Sequence, residues 1–495
     1  MTVPRRRFLK TAVGSTAAAP LLQPASAAQA ANAAKMIGLQ VGAVSFLDEG
    51  VDKVLDIVQE KARVNTLFVA TFTYGRGIAG RQVPGQPLPD HGKQEYDLDF
   101  RGGAYTRLQP RFYGDTVLKD VRARDHGDYD VLEAVLPSAR KRGMKTICWY
   151  EDVWRADVPG FDKVTEVDLY GRRTNRTCMN SPDHRAFLAG IAEDWTRSYD
   201  IDGVMWGSER HGALGVALGA SHGGRNSDPS RVGCFCPHCE KKAAARGISI
   251  ERAKQGFQVL EQYVRSARSG KRPVDGHFVE FLRILMRHPE ILAWEQFWHD
   301  SLRECYDLIY RRVKSAKPAV QVGWHIWHTA SFSPFYRAQQ DLRVLAQCSD
   351  FLKMVMYHNC GGERMATYID SVQQHIFGDM TKDQAVAFNY EVLQFPGRSY
   401  EQIPFTGLSS DYVYNEAKRC MDGAAGTPTR IWPGIDIDIP TGLSNSRSTP
   451  PGTKAAVLAA LKAGAHGVLL SRKYSEMRLA NLAAAGEAVR EFGVA

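Results

Sequence analysis

Short apolar runs alternate with longer amphipathic stretches along almost the whole chain. Strand-like runs lie at 37–44, 66–71, 146–150, 203–206, 321–327, 351–357, 430–437 and 467–470. They are short, rich in β-formers and apolar on both alternating faces, which is how parallel strands covered on each side read. Between them, 51–63, 129–142, 184–199, 294–316 and 453–463 carry the three-to-four-residue spacing of helices with one buried stripe. Eight strands alternating with helices predict a (β/α)8 barrel spanning residues 36–495; a doubly wound open sheet is the other fold the same alternation allows. No internal repeat or low-complexity linker interrupts the series.

A bare barrel needs about 250 residues, and this chain has 495. The surplus falls near 75–128, 213–292 and 361–428, after the second, fourth and sixth strands. Those are C-terminal strand ends, where barrels build their active sites, so the insertions are expected to wall a cleft.

The strand tips carry the candidate chemistry. The fourth run ends in Trp206-Gly207-Ser208-Glu209, placing a carboxylate at a buried strand's tip. The third ends at Glu151, the fifth supplies His325, Trp327 and His328, and the sixth supplies Tyr357, His358 and Asn359. Aromatic faces stack on the C–H faces of sugars while His and Asn match hydroxyls, so their recurrence at successive tips points to carbohydrate. In the seventh run, period-two alternation puts Asp436 and Asp438 on one face and three isoleucines on the other. The eighth ends in Arg472 and Lys473, cations that can hold carboxylates ionised or bind an acidic sugar.

Cys234, Cys236 and Cys239 stand at one- and two-residue spacing. Thiols this close pair poorly with one another but fit as thiolate ligands around one tetrahedral zinc. Cys178, ahead of the helix that leads into the fourth strand, is the best fourth ligand. The other five cysteines, scattered and odd in number, read as buried free thiols.

Cys178-Met179-Asn180-Ser181-Pro182 with Arg185, a glutamate ending strand four, and the Cys-x-Cys-Pro-x-Cys run together resemble the β-galactosidases of glycoside hydrolase family 42 and their relatives. The likeness covers positions 176–240. It implies a structural zinc on the four cysteines and a general acid/base at Glu209. Two positions depart from the family: Ser208 stands where it has asparagine, and an aspartate ends strand seven where it has its glutamate nucleophile. As a whole the chain resembles bacterial glycosidase-like proteins with an export signal more than a true β-galactosidase.

That signal is read from residues 1–30. Arg5-Arg6-Arg7-Phe8-Leu9-Lys10, a weakly apolar core too short to span a bilayer, and Ala-x-Ala sites predict a cleaved twin-arginine signal peptide, hence the translocase as a transient partner and a periplasmic or secreted protein. Four of the positive charges lie in that segment, so the formal +9 falls to about +5 beyond it. Such an excess, without basic runs interleaved with aromatics, gives no reason to expect nucleic acid as a partner. The sequence therefore predicts an exported glycosidase, with Glu209 as proton donor and Asp438 or Asp436 as second carboxylate; it is compatible with a homo-oligomer. Two other classes fit the residues: a zinc-dependent hydrolase using His325, His328 and His358, and a non-catalytic carbohydrate-binding barrel.

Overall fold

The computed structural model describes residues 35–74, 79–152, 156–223, 226–442 and 447–494. The expected export signal lies outside the described residues. Eight strands form the barrel: β1 (Met36–Val41), β2 (Thr66–Tyr74), β3 (Lys145–Glu151), β4 (Gly203–Gly207), β5 (Gln321–Ile326), β6 (Phe351–Val355), β7 (Arg430–Asp436) and β8 (Gly467–Ser471). Each pairs in parallel with the next, and β8 pairs in parallel with β1 through Met36↔Gly467 to Leu39↔Leu470. The sheet is closed, so the chain is a (β/α)8 barrel and the open-sheet alternative does not hold.

The barrel interior is layered by chemistry. Towards its N-terminal end Phe68, Phe351 and Trp432 meet across the axis, with ring centroids 4.1 to 6.2 Å apart. Two residues further along β6 the interior position is Lys353, fully buried. It fits because β7 offers Gly434 there; a Cβ on that glycine would stand 2.7 Å from the lysine's Cε. A lysine inside a closed barrel must be hydrogen-bonded or paired, and its partners define the site below.

Local signals set the connections that position the mouth. The helix Pro182–Ser198 starts where Ser181 accepts a hydrogen bond from the His184 amide, with Pro182 in its first turn, and it delivers the chain to β4. Before it, Thr165–Val167 and Arg173–Thr177 form a small antiparallel hairpin. After β2 the strand Gly102–Ala104 pairs antiparallel with the strand's end and extends it as a wall. Five helices between β4 and β5, including Ile250–Arg268 and Glu290–Ala316, build out the fourth connection. Among the described residues no helix is long and apolar enough to cross a membrane.

Candidate active site

Five strands send polar side chains to one point at the C-terminal end of the barrel. Lys353 Nζ donates to Gln40 Oε1 of β1 at 2.8 Å and to the Tyr357 hydroxyl at 3.1 Å, and lies 3.1 Å from His325 Nδ1 of β5. The opposite ring nitrogen, His325 Nε2, is 3.0 Å from Glu209 Oε1. Burial, with a smaller contribution from neighbouring Lys353, holds the His325 pKa down at about 4, so the ring is neutral near pH 7. An ammonium has only protons to offer, so Nδ1 accepts and Nε2–H donates to the Glu209 carboxylate. Burial also pulls Lys353 from its ordinary 10.5 to about 7, against the opposing pull of the Glu209 and Glu151 carboxylates. Glu151 ends β3 at the register partner of Gly207, two residues before Glu209. Thus two glutamates at adjacent strand tips share the field of one buried lysine, and Glu209 is the one that receives the relayed hydrogen bond.

This arrangement predicts a pH signature. The Lys353 charge next to Glu209 is present below pH 7 and is lost as pH rises through about 7. Its loss removes the positive charge that stands behind His325 and polarises the N–H given to Glu209. Turnover should therefore fall above pH 7 in the wild type, while Lys353→Met should be slower, by roughly 10-fold or more, and should lack that limb. A pH series of kcat/KM on both proteins reads this; an unchanged limb in Lys353→Met would assign it to another group.

Several expected site residues lie elsewhere. Trp206 is wholly buried outside the barrel wall, 5.3 Å from the Tyr306 ring and 6.2 Å from Tyr150, because successive β4 residues alternate between barrel interior and helical layer. It is neither a sugar platform nor an apolar wall for Glu209. Strand β7 ends at Asp436, and Asp438 has φ 61°, so the expected alternation does not carry through both aspartates. Asp436 accepts from the amides of Cys360 at 2.8 Å and Ile439 at 3.0 Å. Asp438 accepts from the Arg478 amide and Asn481 Nδ2, both at 2.8 Å, and pairs with the Arg478 guanidinium at 2.9 Å. Both aspartates are fully buried, and these hydrogen bonds hold the chain leaving β7 in place.

Lys473 is buried and donates to the carbonyls of Gly80 and Arg81, and so ties the wall after β2 to β8. Arg472 pairs with Glu476 at 2.8 Å. Ser208, at the position of family asparagine, hydrogen-bonds Asp152 and does not face the cleft. Trp327 stands 4.4 Å from the His211 ring and 5.0 Å from His222, part of an aromatic wall beside the segment carrying Glu209. His358 and Asn359 open the helix Asn359–Gln373, with His358 buried near Asp436. The three histidines of the metallohydrolase reading do not converge: His325 binds Lys353 and Glu209, and His328 binds the Tyr412 hydroxyl.

Among the described residues, one group of side chains is arranged to hold a metal ion: Cys178, Cys234, Cys236 and Cys239, whose sulfurs all lie within 4.8 Å of one another. All nine cysteines of the chain are buried and outside any disulfide. The four sulfurs are surrounded by donors, as thiolates require. The Val167 amide reaches Cys234 Sγ at 3.4 Å, and Asn180 reaches Cys178 Sγ through its amide and Cys239 Sγ through its side chain, both at 3.3 Å. The cluster joins the hairpin after β3 to the insertion after β4. It is also linked to the mouth: Arg210, next to Glu209, pairs with Asp152 at 2.6 Å and reaches the Thr177 carbonyl and Met179 Sδ on either side of Cys178.

No protein-family model matches the chain, and none of the curated proteins does. Solved structures do. The β-galactosidase of the Antarctic haloarchaeon Halorubrum lacusprofundi is similar in fold at 14% identity and a TM-score of 0.51, covering 92% of this chain and 58% of its own. An α-L-fucosidase from Paenibacillus thiaminolyticus gives 12% identity and 0.49 over 92% of this chain and 49% of its own. A β-galactosidase from Bacillus circulans gives 13% and 0.47 over 93% and 57%. This chain thus spans between half and three fifths of the length of these structures, and the likeness concerns the (β/α)8 fold.

Proposed function

We propose that the protein is a glycoside hydrolase whose two carboxylates are Glu209 and Glu151. The observation that carries the reading is the placement of these glutamates at adjacent strand tips, both acting on the buried Lys353 and one of them hydrogen-bonded to His325. Glycosidic cleavage needs one carboxylate that stays charged and one carboxyl that delivers a proton. Glu209 receives the His325 N–H, and the Lys353 ammonium lies directly behind that ring. That environment suits the ionised role, attacking the anomeric carbon or activating water, and leaves Glu151 as proton donor. The assignment exchanges the role first expected for Glu209, because the His325 N–H backed by Lys353, rather than an apolar wall, faces it. The β-galactosidase of like fold agrees with the reading.

The four-cysteine cluster is proposed to hold zinc in a structural role, since four thiolates leave no coordination position for substrate or water. The reading is tested by incubating the enzyme with a panel of aryl glycosides and oligosaccharides and measuring released sugar. Hydrolysis of at least one class, absent in Glu209→Gln, is expected. Sugar binding without hydrolysis of any member would make the protein a binding barrel instead.

A further inference from the structure

The residues that the sequence offered for an acidic sugar are spent, Arg472 on Glu476 and Lys473 on backbone carbonyls. A different cation at the mouth is not. Arg364 lies in the second turn of the helix Asn359–Gln373, which leaves the barrel directly after β6. Its guanidinium lies 5.4 Å from the centroid of the Tyr357 ring, and Nη1 is 3.3 Å from His328 Nδ1. Burial and the nearby arginine charge keep His328 well below its ordinary pKa, so this neutral ring accepts one of the five guanidinium N–H groups. Among the described residues Arg364 makes no ion pair. The residues outside the description contain no aspartate or glutamate side chain that could supply one.

Arg364 reaches His328 just past β5 and covers the Tyr357 ring just past β6, so it stands at the C-terminal end of the barrel, within the electrostatic influence of Glu209. The residue keeps a minor part of its surface open although burial weighs on its charge, whereas Lys353, His325 and His328 are closed off. A guanidinium there, with N–H groups left over after the one given to His328, matches a carboxylate or sulfate better than a hydroxyl.

We propose that Arg364 binds an anionic group on the sugar next to the scissile bond, so that the substrates are acidic glycosides, carrying a uronate carboxylate or a sulfate ester. The inference rests on the glycoside hydrolase reading for its substrate, but its test does not require turnover. Isothermal titration of the full chain with glucuronate, galacturonate, a 6-sulfated hexose, glucose and galactose compares the classes directly. At least one anionic sugar should bind roughly 10-fold or more tightly than its neutral counterpart, and which of them does so separates uronate from sulfate. Arg364→Gln should remove the difference, and Arg364→Lys should keep part of it while losing the bidentate share. Thermal melting of each variant, expected within about 2 °C of wild type for a side chain without an ion pair, checks that they fold. Equal or better binding of the neutral sugars, or an acid preference that survives in Arg364→Gln, would overturn the proposal. Hydrolysis of neutral glycosides only would overturn it too while leaving the glycosidase reading intact. Acid-sugar binding with no hydrolysis of any glycoside would do the reverse.

Discussion

Glu209→Gln should lose roughly 10²–10⁴-fold in kcat on every glycoside the wild type cleaves, including those with activated aryl leaving groups. The variant keeps its size and one oxygen for the His325 N–H, but the amide cannot carry the negative charge that His325 and Lys353 are arranged to hold. A good leaving group relieves the need for a proton donor and does nothing for a missing nucleophile or base, so activated substrates should not rescue it. Circular dichroism and melting should match wild type, because Glu209 is partly exposed, with 24% of its side chain open to solvent. Retained activity on activated substrates alone would return Glu209 to the proton-donor role.

Removing the metal should cost both stability and turnover. A domain of this length loses about 1 °C in Tm per kcal/mol, and a thiolate-bound zinc contributes several kcal/mol to the folded state, so chelation or Cys236→Ser should lower Tm by about 5–10 °C. Activity measured well below the melting range should fall as well. Arg210 anchors the segment carrying Glu209 to Thr177 and Met179, the neighbours of Cys178, so loosening the cluster loosens the carboxylate. Metal analysis should find one zinc per chain. Purified protein without zinc and with an unchanged Tm would show that the cysteines hold their places unaided.

The barrel was legible because eight short apolar runs separated by helical stripes admit few folds, and all eight runs became its strands. The zinc-type cluster was legible because three of its four members sit within one turn of chain. What the sequence could not give was direction. In a strand buried on both faces, inside and outside are equally apolar, so Trp206 read as a pocket residue although it points into the helical layer. Asp436 and Asp438 followed a period-two rule that fails where β7 ends and the backbone turns left-handed at Asp438. Lys353 did leave a signal: in Phe351-Leu352-Lys353-Met354-Val355 it is a lone charge inside a central strand, where only a satisfied, partnered lysine is tolerated. Arg364 left none, since one arginine in a helix looks like any solvated one until the fold places it at the C-terminal end of the barrel.

The central claim is the division of labour between two glutamates at adjacent strand tips, and a leaving-group series on Glu151→Gln tests it most directly. The measurement is kcat/KM against the pKa of the departing alcohol for wild type and variant. With Glu151 as proton donor, the variant should match wild type within a few-fold on the most acidic leaving groups and fall progressively behind as they become more basic, by roughly 10²–10⁴-fold on natural-type glycosides. Parallel lines for the two proteins, at any vertical offset, would contradict the account.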